Sequence, residues 1–217
     1  MLVKKMSVAV AAASLMMAAL PASAEVITLT FEGIQNNTAV GNFYAGGGGT
    51  NYGISFNSAA LALVDADAGG FGNFANEPSE GTVMFFTEGN NAILNKGSGF
   101  SEGFSFYYSS SRAVSVNVYD GVNASGNIIA TLQLGAQSNA NNCGGDPTGD
   151  YCNWTTVGVT FAGTAKSIDF GGTAGNVAFD NITFGSVTPV PEASTYAMLL
   201  AGLGLLGFVS RRRNKQA

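Results

Sequence analysis

The chain has no histidine at all. Imidazole is the one side chain whose ordinary pKa puts its charge change between pH 5 and 8. Its absence excludes histidine general bases, histidine metal ligands, and the Ser/His/Asp and Cys/His nucleophile pairs together. Charge is scarce as well, with only 11% of residues charged. Basic residues are nearly missing from the middle of the chain. Between Glu25 and Val190 there are thirteen Asp and Glu against three basic residues, Lys96, Arg112 and Lys166, a local net of about −10. An acidic body repels phosphate backbones, so nucleic acid is not an expected partner. Acidity of this kind keeps a protein soluble, and it can also recruit a hard cation such as Ca²⁺. No long segment carries a helical period outside the two ends.

What is abundant is glycine, thirty of 217 residues, together with Asn, Ser and Thr. That mixture suits short strands joined by tight turns. Only two cysteines are present, Cys143 and Cys152, in the stretch NNCGGDPTGDYCNW. Gly144, Gly145, Pro147 and Gly149 between them favour a turn-rich ring. In an oxidising compartment a disulfide is the expected state. Closing a ring of about ten residues stabilises by roughly 2–3 kcal/mol in the chain-entropy model.

The two ends differ from the middle. Residues 1–24 read MLVKKMSVAVAAASLMMAALPASA. Lys4 and Lys5 precede an apolar run, Pro21 breaks it, and Ala22-Ser23-Ala24 forms a small-residue cleavage site. This is read as a signal peptide, helical while it lasts, that passes through Sec export machinery and signal peptidase and leaves Glu25 as the new N-terminus. The apolar run is about fifteen residues, short for a span of about twenty. At the other end YAMLLAGLGLLGFV is followed by Ser210 and then Arg211, Arg212, Arg213, Asn214 and Lys215. A transmembrane helix over about 193–210 would extend about 27 Å, enough for a hydrocarbon core. The basic end, 211–215, would hold it on the cytoplasmic side.

The segment VPEASTYAMLLAGLGLLGFVSRRR resembles the PEP-CTERM sorting signal. Three features coincide in order: Pro191-Glu192, a short apolar helix and an arginine cluster. The resemblance implies recognition by an exosortase-like membrane enzyme, processing near Pro191 and Glu192, and retention through Arg211, Arg212 and Arg213 until processing. It further implies a Gram-negative bacterium that makes exopolysaccharide, an inner-membrane intermediate held by the C-terminal helix, and delivery to the cell surface or beyond. The family usually carries a second proline after the glutamate, where this chain has Ala193.

The organisation is therefore a signal peptide (1–24), a body (25–186) and a sorting tail (187–217). The body alternates with period two. Ile27, Leu29 and Phe31 share one face; Ile54 and Phe56, Phe104 to Tyr108, and Val114, Val116 and Val118 do the same. Ile128, Ala130, Leu132 and Leu134 follow, then Val157 to Phe161, Ile168 with Phe170, and a last strand near 177–184. Asp120-Gly121, Gly126-Asn127, Gly163 and Gly171-Gly172 punctuate the runs. Eight to ten short antiparallel strands are expected, forming an all-β sandwich of jelly-roll type.

Three kinds of site are considered. In the last strand Val177 and Phe179 fall out of phase with Ile182 and Phe184, and a bulge near Asp180-Asn181 would restore one apolar face. The first and last strands of a jelly roll are often neighbours. Glu32, closing the first strand, and Asp180 could then meet and share a structural calcium, the only cofactor expected. Alternatively Glu32 is exposed and Asp180 caps a turn. The LTFEG opening and FDNITFG ending also look like those of carbohydrate-binding jelly-roll domains, a resemblance that implies such a calcium. Tyr44, Tyr52, Tyr107, Tyr119, Tyr151 and Trp154 are amphipathic rings that could cover a sugar, or simply pack. No glycan-binding residue is singled out among them. For glycoside hydrolysis, Asp65, Asp67, Glu77, Glu80, Glu88 and Glu102 are available, with no spacing that pairs any two. The expectation is a non-enzymatic surface or matrix protein associated with exopolysaccharide. A secreted carbohydrate-active enzyme and a calcium-stabilised adhesion module are the alternatives.

Overall fold

A computed structural model describes residues 26–188 apart from residues 90, 141, 142, 144–148 and 173. The expected signal helix with Ala22 and Ala24, and the expected transmembrane helix with Pro191, Glu192 and Arg211, Arg212 and Arg213, lie outside the described residues. Among the described residues no helix is long and apolar enough to cross a membrane. The one helical turn there is a 3₁₀ turn at Phe43–Ala45.

Among the described residues twelve strands run in chain order: β1 (Ile27–Leu29), β2 (Thr38–Ala39), β3 (Ile54–Phe56), β4 (Leu61–Val64), β5 (Thr82–Phe85), β6 (Ile93–Phe100), β7 (Phe104–Ser110), β8 (Val114–Tyr119), β9 (Ile128–Leu134), β10 (Thr155–Val159), β11 (Ala165–Asp169) and β12 (Val177–Phe184). They form two antiparallel sheets. One has the order β10-β7-β12-β5-β4-β2, with β1 also paired to β12, and the other β3-β6-β11-β8-β9. Inner-face side chains of both sheets make one core. Phe106 of β7 and Phe179 of β12 meet Phe170, beside β11, at ring distances of 4.8–5.7 Å. All three rings are fully buried, and truncating one to alanine would cost about 3–5 kcal/mol. The fold is the expected all-β sandwich.

β12 sits at the centre of the larger sheet, and every one of its residues is buried. Its inner face carries Val177, Phe179, Ile182 and Phe184 into the core. Its outer face is covered too. Ala178, with Val83 and Phe85 of β5, lies under Phe74 and Tyr151 from two long loops, with Leu63 and Trp154 packed alongside. Described residues of the loop before β5 (65–81) and of the loop before β10 (135–154) therefore form a lid over the sheet.

The phase change in β12 is a bulge, as its hydrophobic pattern predicts. Asp180 pairs with Tyr107 and Thr183 with Ser105, so β12 advances three residues while β7 advances two. Asn181 takes up the extra residue at φ 47°. The bulge also marks a change of neighbour: β5 pairs at Phe179, whereas β1 pairs at Ile182, Thr183 and Phe184.

Three expectations need correction. Phe31 does not continue the first strand, because its backbone turns to φ 65° while its ring stays in the core. Ile128 does not face inward but is 54% exposed. The register slips between Val118 and Tyr119, whose partners are Ala130 and Ile128, so the bulged Ile129 packs on the core instead. And the described residues hold twelve strands, with β2, β4, β5 and β6 unmarked by clean alternation.

Candidate functional site

Glu32 and Asp180 hold one segment between them, 79–82, at the entry to β5. Glu32 Oε1 accepts from the Gly81 amide (3.1 Å) and the Thr82 amide (2.9 Å), and Oε2 from the Thr82 hydroxyl (2.9 Å). Asp180 Oδ2 accepts from the Ser79 amide (2.9 Å), its Oδ1 from the Asn181 amide (2.7 Å), and both oxygens lie 2.8 Å from the Ser79 hydroxyl. Glu32 is thus anchored and not a free surface carboxylate. Asp180 lies on the bulge and is 0% exposed.

Burial dominates the acidity of Asp180. It pushes the carboxyl up from 3.8 to about 8, against the hydrogen bonds from Ser79 and Asn181, and the charge of nearby Glu32 adds to the rise. A protonated Asp180 can donate to the Ser79 hydroxyl, which reaches on to the Thr30 carbonyl at 3.2 Å. Tyr44 stands behind this cluster. The Phe31 amide donates to its hydroxyl oxygen at 2.7 Å. Burial, and then the Asp180 and Glu32 charges, raise the tyrosine far above its ordinary range. The Oδ1 of Asn181 is buried and accepts no hydrogen bond among the described residues. Among those residues no three Asp, Glu or Cys side chains form a metal-holding group by themselves. Two carboxylates and an unsatisfied amide oxygen are still a donor set of the hard-cation kind.

Four of the other sequence-marked carboxylates converge. Asp65, Asp67, Glu77 and Glu80 line a cleft of about 450 Å³ on the 65–81 loop. Asp65 is tied down there by the Asp67 amide at 2.9 Å and the Phe74 amide at 3.0 Å. Glu88 does not line it, and Glu102 lines a separate, mostly apolar hollow beside Ile27 and Phe184.

The marked aromatics do not gather into one platform. Tyr44 is in the core, edge-on to Phe31 and Phe43. Tyr107 and Tyr119 lie in different sheets. Tyr44 and Tyr52 stack on each other with ring centroids 6.4 Å apart, and Tyr151 and Trp154 both pack against Phe74. The sequence reading missed Phe71, 86% exposed on the 65–81 loop. A bulky residue between Gly70 and Gly72 in a polar loop was its only signal.

Cys143 and Cys152 form the expected disulfide, with Cα atoms 5.1 Å apart. The bond closes the loop that supplies Tyr151 and Trp154 to the lid. The Cys152 and Asn153 amides both donate to the Ser138 carbonyl at 2.8 Å, and the Trp154 indole donates to the Ala75 carbonyl at 3.0 Å.

No curated protein matches the chain in sequence. Among solved structures it is similar to a family 6 carbohydrate-binding module from Clostridium stercorarium in complex with cellobiose. The identity is 17% and the TM-score 0.37, over 60% of this chain and 85% of that one. A family 29 carbohydrate-binding module is 14% identical, TM-score 0.40, over 74% of this chain and 91% of the other. A module of the Cellvibrio mixtus lichenase 5A in complex with cellotriose is 16% identical, TM-score 0.34, over 58% and 86%. The span 189–213, which contains Pro191, Glu192, Arg211, Arg212 and Arg213, matches the PEP-CTERM protein-sorting motif. The chain is thus an exported protein that carries a PEP-CTERM sorting signal behind a β-sandwich body.

Proposed function

We propose that this is a non-catalytic protein, cleaved after Ala24, passed through the inner membrane by its C-terminal segment, and delivered to the cell surface to associate with exopolysaccharide. The observation that carries this reading is the sorting motif at 189–213. Signals of this type hand a protein to exosortase-type membrane machinery. On this reading Pro191 and Glu192 are recognised, and Arg211, Arg212 and Arg213 retain the precursor. Asp180, a carboxyl held protonated near neutral pH, is wholly buried. It cannot reach a glycosidic oxygen, which argues against general-acid hydrolysis at that site.

The test is cell fractionation with mass spectrometry in an exopolysaccharide-forming Gram-negative host. The mature protein should begin at Glu25, end near Pro191, and co-purify with the extracellular polysaccharide. In a strain that makes no polysaccharide it should appear in the medium instead. Full-length protein in the cytosol, with its leader intact and its thiols reduced, would overturn the reading.

A second reading is added by the unsatisfied Asn181 Oδ1 beside Asp180. Glu32 and Asp180 would share a structural Ca²⁺, with Asn181 as a further oxygen ligand, and the ion would brace the 79–82 segment. On this reading EDTA lowers the melting temperature of the secreted protein and Ca²⁺ restores it. A melting temperature indifferent to both additions removes the ion from the account.

A further inference from the structure

The strand pairing fixes at which end of the sandwich the chain enters and leaves. Ile27 pairs with Phe184, so the chain enters and leaves the body side by side. The opposite end of β12 is Val177, which pairs with Ser110. β12 has eight residues, so the two ends are roughly 25 Å apart. At the Val177 end lies a cleft of about 370 Å³ between four connections, lined among others by Asn73, Phe85, Ser111, Asn139, Asp150 and Tyr151. That volume is within the range of small-molecule sites.

Its lining is unlike that of the acidic cleft beside it. Among the described lining residues Asp150 is the single carboxylate. The rest of the polar lining is amide and hydroxyl groups, which both donate and accept. Asn73 donates to Asp150 Oδ2 at 3.1 Å, so the two side chains are already oriented toward each other. The floor is aromatic: Phe85 and Tyr151 lie 6.3 Å apart, edge to face. The Tyr151 hydroxyl donates to the Gly175 carbonyl at 2.9 Å, which fixes the outer end of that ring. Arg112, next in the chain to Ser111, is engaged with Asn176 Oδ1 at 2.9 Å.

An apolar floor rimmed by amides, hydroxyls and one carboxylate matches a pyranose ring. Such a ring presents a carbon–hydrogen face and an equatorial belt of hydroxyls. A carboxylate can accept from two of those hydroxyls. A polyanionic chain would instead meet Asp150 and an acidic body. We propose that this end cleft binds an uncharged glycan chain, and that the disulfide, one residue beyond Tyr151, holds its wall in place. The proposal rests on the exopolysaccharide reading and gives that reading an address.

The test uses the processed, secreted protein in affinity gel electrophoresis. The probes are dextran, laminarin and hydroxyethyl cellulose as uncharged chains, alginate as an anionic one, and the host's own exopolysaccharide. The sole tryptophan, Trp154, stands beside Tyr151 across Phe74, so its emission gives a second readout. The wild type should be retarded by an uncharged chain and not by alginate, with a matching change in emission. Asp150→Ala, and Asn139→Phe to fill the mouth, should each weaken binding about tenfold, equivalent to one charge-assisted hydrogen bond. Glu102→Gln at the tail end should bind as the wild type does. Melting temperature identifies any variant that fails to fold, and either cleft variant alone suffices. If folded cleft variants bind like the wild type, the cleft assignment is wrong while the exopolysaccharide reading stands. Retardation by alginate alone overturns the ligand class. No retardation by any probe, the host polysaccharide included, overturns both.

Discussion

Asp180 concentrates more of the molecule's chemistry than any other residue. It sits on a bulge, fully buried, with its pKa raised from 3.8 to about 8 mainly by burial. The folded state then holds a proton that the unfolded chain gives up above about pH 4. The unfolded state binds fewer protons across that window, so stability falls as pH rises from about 4 to 8, by at most about 1.4 kcal/mol per pH unit. The contribution is fully present below pH 4 and gone above 8. In calcium-free buffer the melting temperature should therefore be several degrees higher at pH 5 than at pH 8. Asp180→Asn keeps the shape and cannot titrate, so it should flatten that part of the profile. Parallel profiles for the two proteins would show that burial does not set the proton affinity here. Calcium binds the charged form, so on the calcium reading its addition at pH 8 should recover the stability that deprotonation removes. Tyr44 shows a second residue whose polar end earns its buried place. Tyr44→Phe leaves the Phe31 amide without its 2.7 Å partner and should cost about 1–3 kcal/mol in a denaturant titration.

Among the elements, the lid loops are the part least able to stand alone. The 65–81 and 135–154 loops meet through the Phe74 and Tyr151 backbones and cover Val83, Phe85 and Ala178. Replacing both cysteines by serine frees one of those loops. The loss should be about 2–3 kcal/mol, or roughly 5–10 °C in melting temperature. Trp154 emission should move to the red as its cover loosens. An unchanged melting point and emission would mean that aromatic packing alone holds the lid. The same lid explains what sequence could and could not reveal. β8 alternates cleanly, Val114, Val116 and Val118 in and polar residues out, because one face of it meets water. β5 reads as four buried residues because the lid removes its solvent face, and with it the alternation. β6 carries Gly97 and Gly99, which weaken any strand signal. The β12 bulge was legible because an apolar strand that changes phase must insert a residue. Which segment Glu32 and Asp180 would hold was not, because Ser79 and Thr82 lie in featureless sequence 101 and 50 residues away.

At the scale of the whole molecule, charge and chain path agree on a polarity. The body is acidic, and six of the nine basic residues stand outside it, at the two ends that carry the export and sorting signals. Both ends leave the sandwich at the paired strands β1 and β12. A protein held at that end would present the Val177 end, with its cleft and disulfide-closed loop, away from the membrane. The sorting motif makes the holding step testable. Replacing Arg211, Arg212 and Arg213 together by Gln removes the charge that opposes passage of the tail through the membrane, where each Arg costs about 2.5–3.5 kcal/mol at the helix centre. Part of the population should then reach the medium with residues 189–217 still attached. Glu192→Gln keeps the arginines and alters the motif, so the precursor should instead accumulate in the membrane fraction at full tail length. Mass spectrometry of the two fractions separates these fates by the mass of the tail. If both variants are trimmed and sorted as the wild type is, neither the arginines nor Glu192 is read by the machinery. The polarity of the molecule would then have to be set by the body alone.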